Sequence, residues 1–118
     1  ESIGYLENYL ILGLLVSFFN SLLEEYYFRS FLYSLSADAG LKAGGIILLN
    51  GIAFSLHHFI AMVTILPLVY VLGLSLVIGL AGAIWAWLRY KGISIIDIYI
   101  SHIIADLAIL FVFMDIIK

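Results

Sequence analysis

A few ionisable side chains lie inside segments that are otherwise apolar, and they are the residues of this sequence that could carry out chemistry. An ionised residue at the centre of a bilayer costs about 2.5 to 3.5 kcal/mol on insertion scales, so each one needs a partner or a role. Three apolar segments contribute them. The set comprises Glu24, Glu25, Arg29, His57, His58, His102 and Asp106.

The first segment holds two adjacent glutamates and an arginine. Glu25 and Arg29 are four residues apart, so on a helix they share a face and can form an internal ion pair. Glu24 points roughly 100° away from Glu25 and is free to face something else. A helix-stabilising pair near an interface, with Glu24 reaching to the headgroups, explains Glu25 and Arg29 but explains Glu24 poorly.

The other two segments supply imidazoles. His57 and His58 are adjacent and point in different directions, so we expect at most one of them to line the same interior as Glu24. The other is expected to bond a carbonyl or to reach the interface. His102 and Asp106 are four residues apart and share a helix face, so the carboxylate can orient the imidazole or sit beside it in a pocket.

These residue types together favour hydrolysis of an amide bond. A carboxylate beside an imidazole can deprotonate water, and a second imidazole with a polar neighbour can stabilise the oxyanion formed when that water attacks. The sequence has no His-Glu-x-x-His zinc helix, no Gly-x-Ser-Gly serine motif and no Gly-x-Gly-Asp aspartyl motif. Elimination therefore points to glutamate and histidine as the reactive groups.

Composition shows that lipid must be the solvent for the elements that carry these groups. The chain has 118 residues, of which 65% are hydrophobic and 11% charged, and its mean hydropathy is +1.21. Residues 43–88 form a stretch of 46 residues without Asp, Glu, Lys or Arg. One straight helix of that length reaches roughly 69 Å, about twice the hydrocarbon thickness. The stretch is therefore predicted to be a hairpin of two spans that turns near Pro67.

The predicted fold is all-α, a polytopic membrane helical bundle of four transmembrane helices. The hydropathy pattern places the spans at about 8–36, 42–62, 67–90 and 94–117. Residues 1–118 are expected to form a single transmembrane catalytic core with no soluble domain. The chain begins at Glu1 without an initiator Met or a basic leader, so we expect it to be part of a longer protein.

Charge and small residues refine this picture. Turns 38–42 and 89–92 are basic and lie on the same side of a four-span chain, so the positive-inside rule predicts both in the cytoplasm. Trp85 and Trp87, next to the second turn, are predicted to anchor the chain at the membrane interface. Small residues at four-residue spacing predict close helix packing. They are Gly51 and Ser55 on the second span and Ser75, Gly79 and Ala83 on the third.

Composition also limits the partners. A net charge of −3 provides no basic surface for nucleic acid, which leaves membrane lipid and membrane-associated peptides as the expected partners. The chain has no cysteine, so disulfides, thiolate metal sites and a cysteine nucleophile are excluded.

Three motifs in a fixed order resemble those of a known family. Glu24-Glu25-x-x-x-Arg29, Phe54-x-x-x-His58 and His102-x-x-x-Asp106 are similar to the ordered motifs of the CAAX protease and bacteriocin-processing family, also called the Abi family. That family includes the type II CAAX prenyl endopeptidases. The resemblance implies a glutamate-dependent intramembrane endopeptidase built on a helical core, acting on prenylated CAAX or leader-bearing substrates. It also implies that no metal or other cofactor is required for the chemical step.

Carried over by position, the resemblance implies that Glu24 is the general base and activates water together with His58. Glu25 and Arg29 would hold the first motif in place, in supporting roles. The Phe-x-x-x-His spacing selects His58, but His57 is one residue away and a small helix rotation exchanges the two. We therefore treat His57 as a supporting residue.

His102 and Asp106 would form the oxyanion side of the site. Many family members have Asn at the last position, and an ionised Asp cannot donate a hydrogen bond to an oxyanion. Asp106 is therefore expected to be protonated in its low-dielectric site, or only to orient His102, or this chain works differently.

Two other classes of function remain open from the residues alone. Glu24, His58 and His102 could instead ligate zinc in a metal-dependent membrane protease, and facing histidines could hold a haem. The third class is non-enzymatic: a bacteriocin immunity protein, a scaffold, or a proton or ion path.

Overall fold

A computed structural model describes residues 2–116, and that part of the chain consists of helices and short turns with no strand. The first apolar segment forms one continuous rod without an intervening turn. Its parts are helix α1 (Ser2–Glu25), a π-helical segment (Tyr26–Leu32) and helix α2 (Tyr33–Asp38). Three more helices follow: α3 (Ala43–Met62), α4 (Leu68–Tyr90) and α5 (Ile95–Ile116).

Four helical stretches are long and apolar enough to cross a membrane, which confirms the predicted fold class. Their bounds are Glu7–Asp38, Ala43–Met62, Leu68–Tyr90 and Ile95–Val112. The second and third agree with the predicted spans to within a residue. The predicted end of the last span, residue 117, lies outside the described residues.

The two basic turns are closed in the same way by glycine. Gly40 and Gly92 have φ of 82° and 90°, a left-handed conformation that only glycine adopts without strain. In each turn the next residue donates back into the helix end, with Leu41 N–H bonding the Ser36 carbonyl at 3.1 Å and Ile93 N–H bonding the Leu88 carbonyl at 3.1 Å. The helices on either side of each turn can therefore reverse direction within a few residues.

Helices α3 and α4 form a tight hairpin through the small residues that the sequence singled out. A Cβ atom built on Gly79 would lie 2.8 Å from the Cβ of Ser55, and one on Gly51 would lie 3.0 Å from the Gly79 carbonyl oxygen. The Ser55 hydroxyl donates to the Ser75 carbonyl at 2.7 Å. The predicted packing stripes are confirmed, and dispersion between close backbones stabilises this hairpin.

One aromatic cluster joins the first rod to the other three helices. Its buried members are Phe28 from the π-helical segment, Phe54 from α3, Trp85 from α4 and Ile98 from α5. Phe28 and Phe54 meet edge to face at 5.0 Å between ring centroids. Because each member comes from a different element, this cluster fixes the relative positions of the elements that carry the polar residues.

The close approach at Gly79 predicts a difference between two glycines of the same helix. In Gly79→Ala the new methyl group collides with α3, and we expect a loss of about 1 to 3 kcal/mol in unfolding free energy, the usual range for overpacking. Gly73 has no atom near its missing Cβ, so Gly73→Ala should be neutral or stabilising through helix propensity. Thermal unfolding in detergent measures both, and equal melting temperatures would contradict the packing.

Candidate active site

The helix changes type immediately after the two glutamates. α1 ends at Glu25 and the π-helical segment runs from Tyr26 to Leu32, with Arg29 inside it. π-helical turns are frequent at functional sites. Glu24, Glu25, Phe28 and Arg29, which lie before and within the segment, are all buried. Nothing in the sequence pattern indicated this segment.

Arg29 and Glu25 form the ion pair that their spacing predicted. Arg29 Nη1 lies 3.3 Å from Glu25 Oε1, and the two side chains are 0% and 1% exposed. The guanidinium lies over the rings of Phe54 and Trp85, at 4.4 and 5.1 Å from their centroids. Its Nη2 also donates to the Gly82 carbonyl at 3.4 Å. Arg29 is thus held by groups from α3 and α4 and in turn fixes Glu25.

Glu25 also binds His102. Glu25 Oε1 lies 2.7 Å from His102 Nδ1. Since a carboxylate only accepts, Nδ1 carries the proton. The imidazole is stacked on the Trp85 ring, with centroids 4.4 Å apart and planes 26° from parallel. These contacts fix the orientation of His102, and its Nε2 faces Glu24 Oε2 at 3.5 Å and Asp106 Oδ1 at 3.6 Å.

Asp106 sits beside His102 without orienting it. A separation of 3.6 Å is too long for a hydrogen bond, and Glu25 supplies the orienting contact instead. The Ser21 hydroxyl donates to Asp106 Oδ2 at 2.6 Å. This buried serine was missed by the sequence reasoning. Its signal was available, because Ser17, Ser21, Glu25 and Arg29 recur every four residues and so define one face of the first span.

Both adjacent histidines reach Glu24, so the expectation that at most one would do so is wrong. Nε2 of His57 and Nε2 of His58 lie 3.3 and 3.8 Å from Glu24 Oε1. Their rings are nearly perpendicular, at 84° with centroids 5.1 Å apart. Adjacent residues leave a helix in different directions, but imidazoles are long enough to converge on one acceptor from either side of it.

The expected carbonyl bond is made by His58, the histidine selected by the motif spacing. His58 Nδ1 lies 3.0 Å from the Phe54 carbonyl oxygen. A carbonyl oxygen can only accept, so Nδ1 carries the proton, and in the neutral form of the ring Nε2 presents a lone pair to Glu24. Asn20 completes this side of the site by donating its amide to Glu24 Oε1 at 2.8 Å.

Glu24 lies between two clefts. One of about 500 Å³ is lined mostly by apolar side chains and includes Glu24 and His57. The other, of about 290 Å³, is lined by Glu24, His58 and Asp106 together with residues of α1 and α5. The carboxylate can therefore be approached from two sides.

The tryptophan prediction is wrong for one residue and stays a prediction for the other. Trp87 is exposed and lies 5.8 Å from Lys91 Nζ. Trp85 is buried instead, stacks on His102 and donates its indole N–H to Ser101 Oγ at 3.2 Å. Residues two apart place their side chains on nearly opposite faces of a helix, so Trp87 points outward when Trp85 faces the bundle interior.

The metal-ligating set also differs from the one predicted. Within residues 2–116, the ligand atoms that converge to within 4.8 Å of one another belong to Glu24, His57 and His58. His102 is not among them, although its Nε2 lies 3.5 Å from the other Glu24 oxygen, Oε2. His57 takes the place that the sequence gave to His102.

Four apolar spans surround a cluster of carboxylates, imidazoles and one guanidinium, as in an integral membrane protein with ionisable groups inside its helical bundle. The family model for type II CAAX prenyl endopeptidase Rce1-like proteins matches residues 6–108, nearly the whole chain. The chain therefore belongs to the type II CAAX prenyl endopeptidase Rce1-like family, a family of membrane endopeptidases, as the motif resemblance predicted. No curated protein and no solved structure matches it.

Removal of the buried cation should be more damaging than removal of the buried pair. In Arg29→Met, Glu25 remains buried without its partner, and we expect a loss of about 3 to 5 kcal/mol in unfolding free energy. In the double variant Arg29→Met, Glu25→Gln, the amide oxygen still accepts from His102 and no unpaired charge remains, so much of the loss should be recovered. Thermal unfolding of wild type, Arg29→Met and the double variant in detergent tests this. A double variant no more stable than Arg29→Met would contradict it.

Proposed function

We propose that this protein is a glutamate-type intramembrane endopeptidase in which Glu24 and His58 activate water to hydrolyse peptide bonds of membrane-associated substrates. Prenylated CAAX termini are the substrate class that the family suggests. The observation that carries the proposal is the convergence of a buried carboxylate oxygen, Glu24 Oε1, with His58 Nε2 at 3.8 Å, while His58 Nδ1 is bound to the Phe54 carbonyl.

Glu24 Oε1 and His58 Nε2 both act as hydrogen-bond acceptors here, so a donor placed between them would satisfy both. Hydrogen bonds from a hydroxyl span about 2.8 Å, so one water molecule can donate to both Glu24 Oε1 and His58 Nε2 across their 3.8 Å separation. Both hydrogens of that water are then engaged, and its oxygen lone pairs are directed away from the two acceptors. This arrangement polarises the water for attack on a carbonyl carbon.

In the proposed reaction the water oxygen forms a bond to the scissile carbonyl carbon while Glu24 takes its proton. The carbonyl π electrons move to oxygen, which becomes an oxyanion. When the tetrahedral intermediate collapses, the C–N bond breaks and the proton on Glu24 passes to the leaving nitrogen. Glu24 thereby returns to its carboxylate form, so the cycle is balanced without a cofactor.

His102 supports this reaction as the oxyanion donor. Its Nδ1 N–H already donates a hydrogen bond to Glu25 at 2.7 Å. Donation of a second hydrogen bond from Nε2 therefore requires the doubly protonated imidazolium. Such a cation, placed opposite Glu24, stabilises negative charge in a site with little water. Arg29 and Glu25 are positioning residues in this scheme, because they hold the imidazole at the correct angle.

Asp106 has a narrower role in the proposal. Ser21 donates to its Oδ2 atom, which leaves Oδ1 as the atom that faces the site. If Asp106 is protonated on Oδ1, it donates a second hydrogen bond to the oxyanion, as an asparagine amide does at this position in other family members.

Loss of the general base should abolish most of the activity. We expect Glu24→Gln to slow cleavage of a fluorogenic prenylated CAAX-type peptide about 10²- to 10⁴-fold, the usual contribution of a general base. The assay is run in detergent with a chelator present. The matched control is Glu7→Gln, an exposed glutamate on the same helix, which should cleave at the wild-type rate. Cleavage that needs added zinc would instead assign a metal-dependent peptidase.

The orientation of the spans is tested by labelling, because the chain has no cysteine of its own. We propose that turns 38–42 and 89–92 face the cytoplasm. A membrane-impermeant maleimide should then label Lys42→Cys and Lys91→Cys in inside-out vesicles but not in intact cells. Thr64→Cys, in the turn between α3 and α4, should show the opposite pattern. The reverse result for all three would invert the topology.

A further inference from the structure

We infer that Glu24, His57 and His58 form a binding site for a divalent transition-metal ion of the zinc type, and that the bound ion inhibits the enzyme. The binding site stands on geometry alone. The inhibitory effect rests on the proposed function, because the ion would occupy the atoms to which the reactive water is assigned.

The spacing of the ligand atoms suits a tetrahedral ion. Zinc binds nitrogen and oxygen at about 2.0–2.1 Å, so two ligand atoms of a tetrahedron are about 3.4 Å apart. His57 Nε2 and His58 Nε2 lie 3.3 and 3.8 Å from Glu24 Oε1, and all three atoms lie within 4.8 Å of one another. A small rotation of the rings therefore closes the site without movement of the helices.

The surroundings of the ligands match those of metal-binding imidazoles. A histidine that binds a metal through one nitrogen usually donates the other N–H to a carbonyl or a carboxylate. His58 does so through its Nδ1 contact of 3.0 Å with the Phe54 carbonyl oxygen. The other ring is packed against Phe28, with centroids 5.7 Å apart, and Asn20 orients the carboxylate.

Charge and access also favour a cation. The Glu24 carboxylate is a ligand with negative charge, and the permanently charged guanidinium nearby is already paired with Glu25. The side chain of His57 is 51% exposed and lines the cleft of about 500 Å³. The ligands therefore open on the surface of the bundle and are not enclosed by it.

Inhibition follows from the shared atoms. An ion held by Glu24 Oε1 and His58 Nε2 takes up the carboxylate oxygen and the lone pair that would accept the protons of water. His57 has no part in the proposed reaction but supplies the third ligand. The ligand set predicted from the sequence has His102 in place of His57. It predicts that metal binding needs His102 and not His57, so substitution of each histidine distinguishes the two sets.

The first test is Co²⁺ binding to the full chain in detergent, followed by the visible absorption of tetrahedral Co²⁺ and by competition with Zn²⁺. We expect wild type to bind one ion, His57→Gln to bind at least about tenfold more weakly because it lacks a ligand, and His102→Gln to bind as wild type does. Circular dichroism checks that each variant is folded. Loss of binding in His102→Gln but not in His57→Gln would overturn the assignment, as would the absence of binding in wild type.

The second test measures peptidase activity with and without Zn²⁺, and each variant is compared with its own metal-free rate. We expect Zn²⁺ to inhibit wild type, and we expect His57→Gln to need at least about tenfold more Zn²⁺ for the same fractional inhibition. Activity that rises with Zn²⁺ would overturn the inhibitory effect. Co²⁺ binding in a protein that never cleaves supports the site and counts against the proposed function alone, whereas cleavage without Co²⁺ binding overturns the site alone.

Discussion

The ion pair between Arg29 and Glu25 lies at the centre of the bundle, and the rest of the site depends on it. The guanidinium contacts the rings of Phe54 and Trp85 and the Gly82 carbonyl, while Glu25 holds His102. An unpaired charge at this depth would be strongly destabilising, so the pair forms only when all the elements that enclose it are in place. The packing of the bundle and the orientation of the imidazole therefore depend on the same contacts.

Much of the architecture follows from the sequence because lipid leaves few alternatives. A bilayer requires every backbone group to be paired within helices, so long apolar stretches, Pro67 and the glycine turns were enough to place four spans. The ion pair between Glu25 and Arg29 could be predicted because it depends only on their spacing along one helix. The close packing at Gly51 and Gly79 could be predicted because it depends on the small size of glycine. Local periodicity was sufficient for these features.

The parts of the site that escaped prediction depend on contacts between helices. The convergence of His57 and His58 on Glu24 requires the distance between α1 and α3, which no spacing within α3 contains. Trp85 resembled an interfacial residue because it lies near a basic turn, but its neighbour His102 comes from another helix. The exact direction of a side chain near the bundle centre depends on packing between helices, and the periodicity of a single helix does not encode it.

The π-helical segment divides the first rod into two halves with separate phases. Each residue of an α-helix turns it by about 100°, so the wider turn between Tyr26 and Leu32 rotates everything after it relative to an uninterrupted helix. The half before the segment packs mainly on α5, α2 packs on α3, and the segment itself contacts α3, α4 and α5. A one-residue deletion inside the segment could restore a regular helix only by detaching one half from its neighbours. This one irregular segment thus determines which residues of the rod face which neighbouring helix. Insertions and deletions are therefore tolerated far less in this segment than in the polar turns between helices.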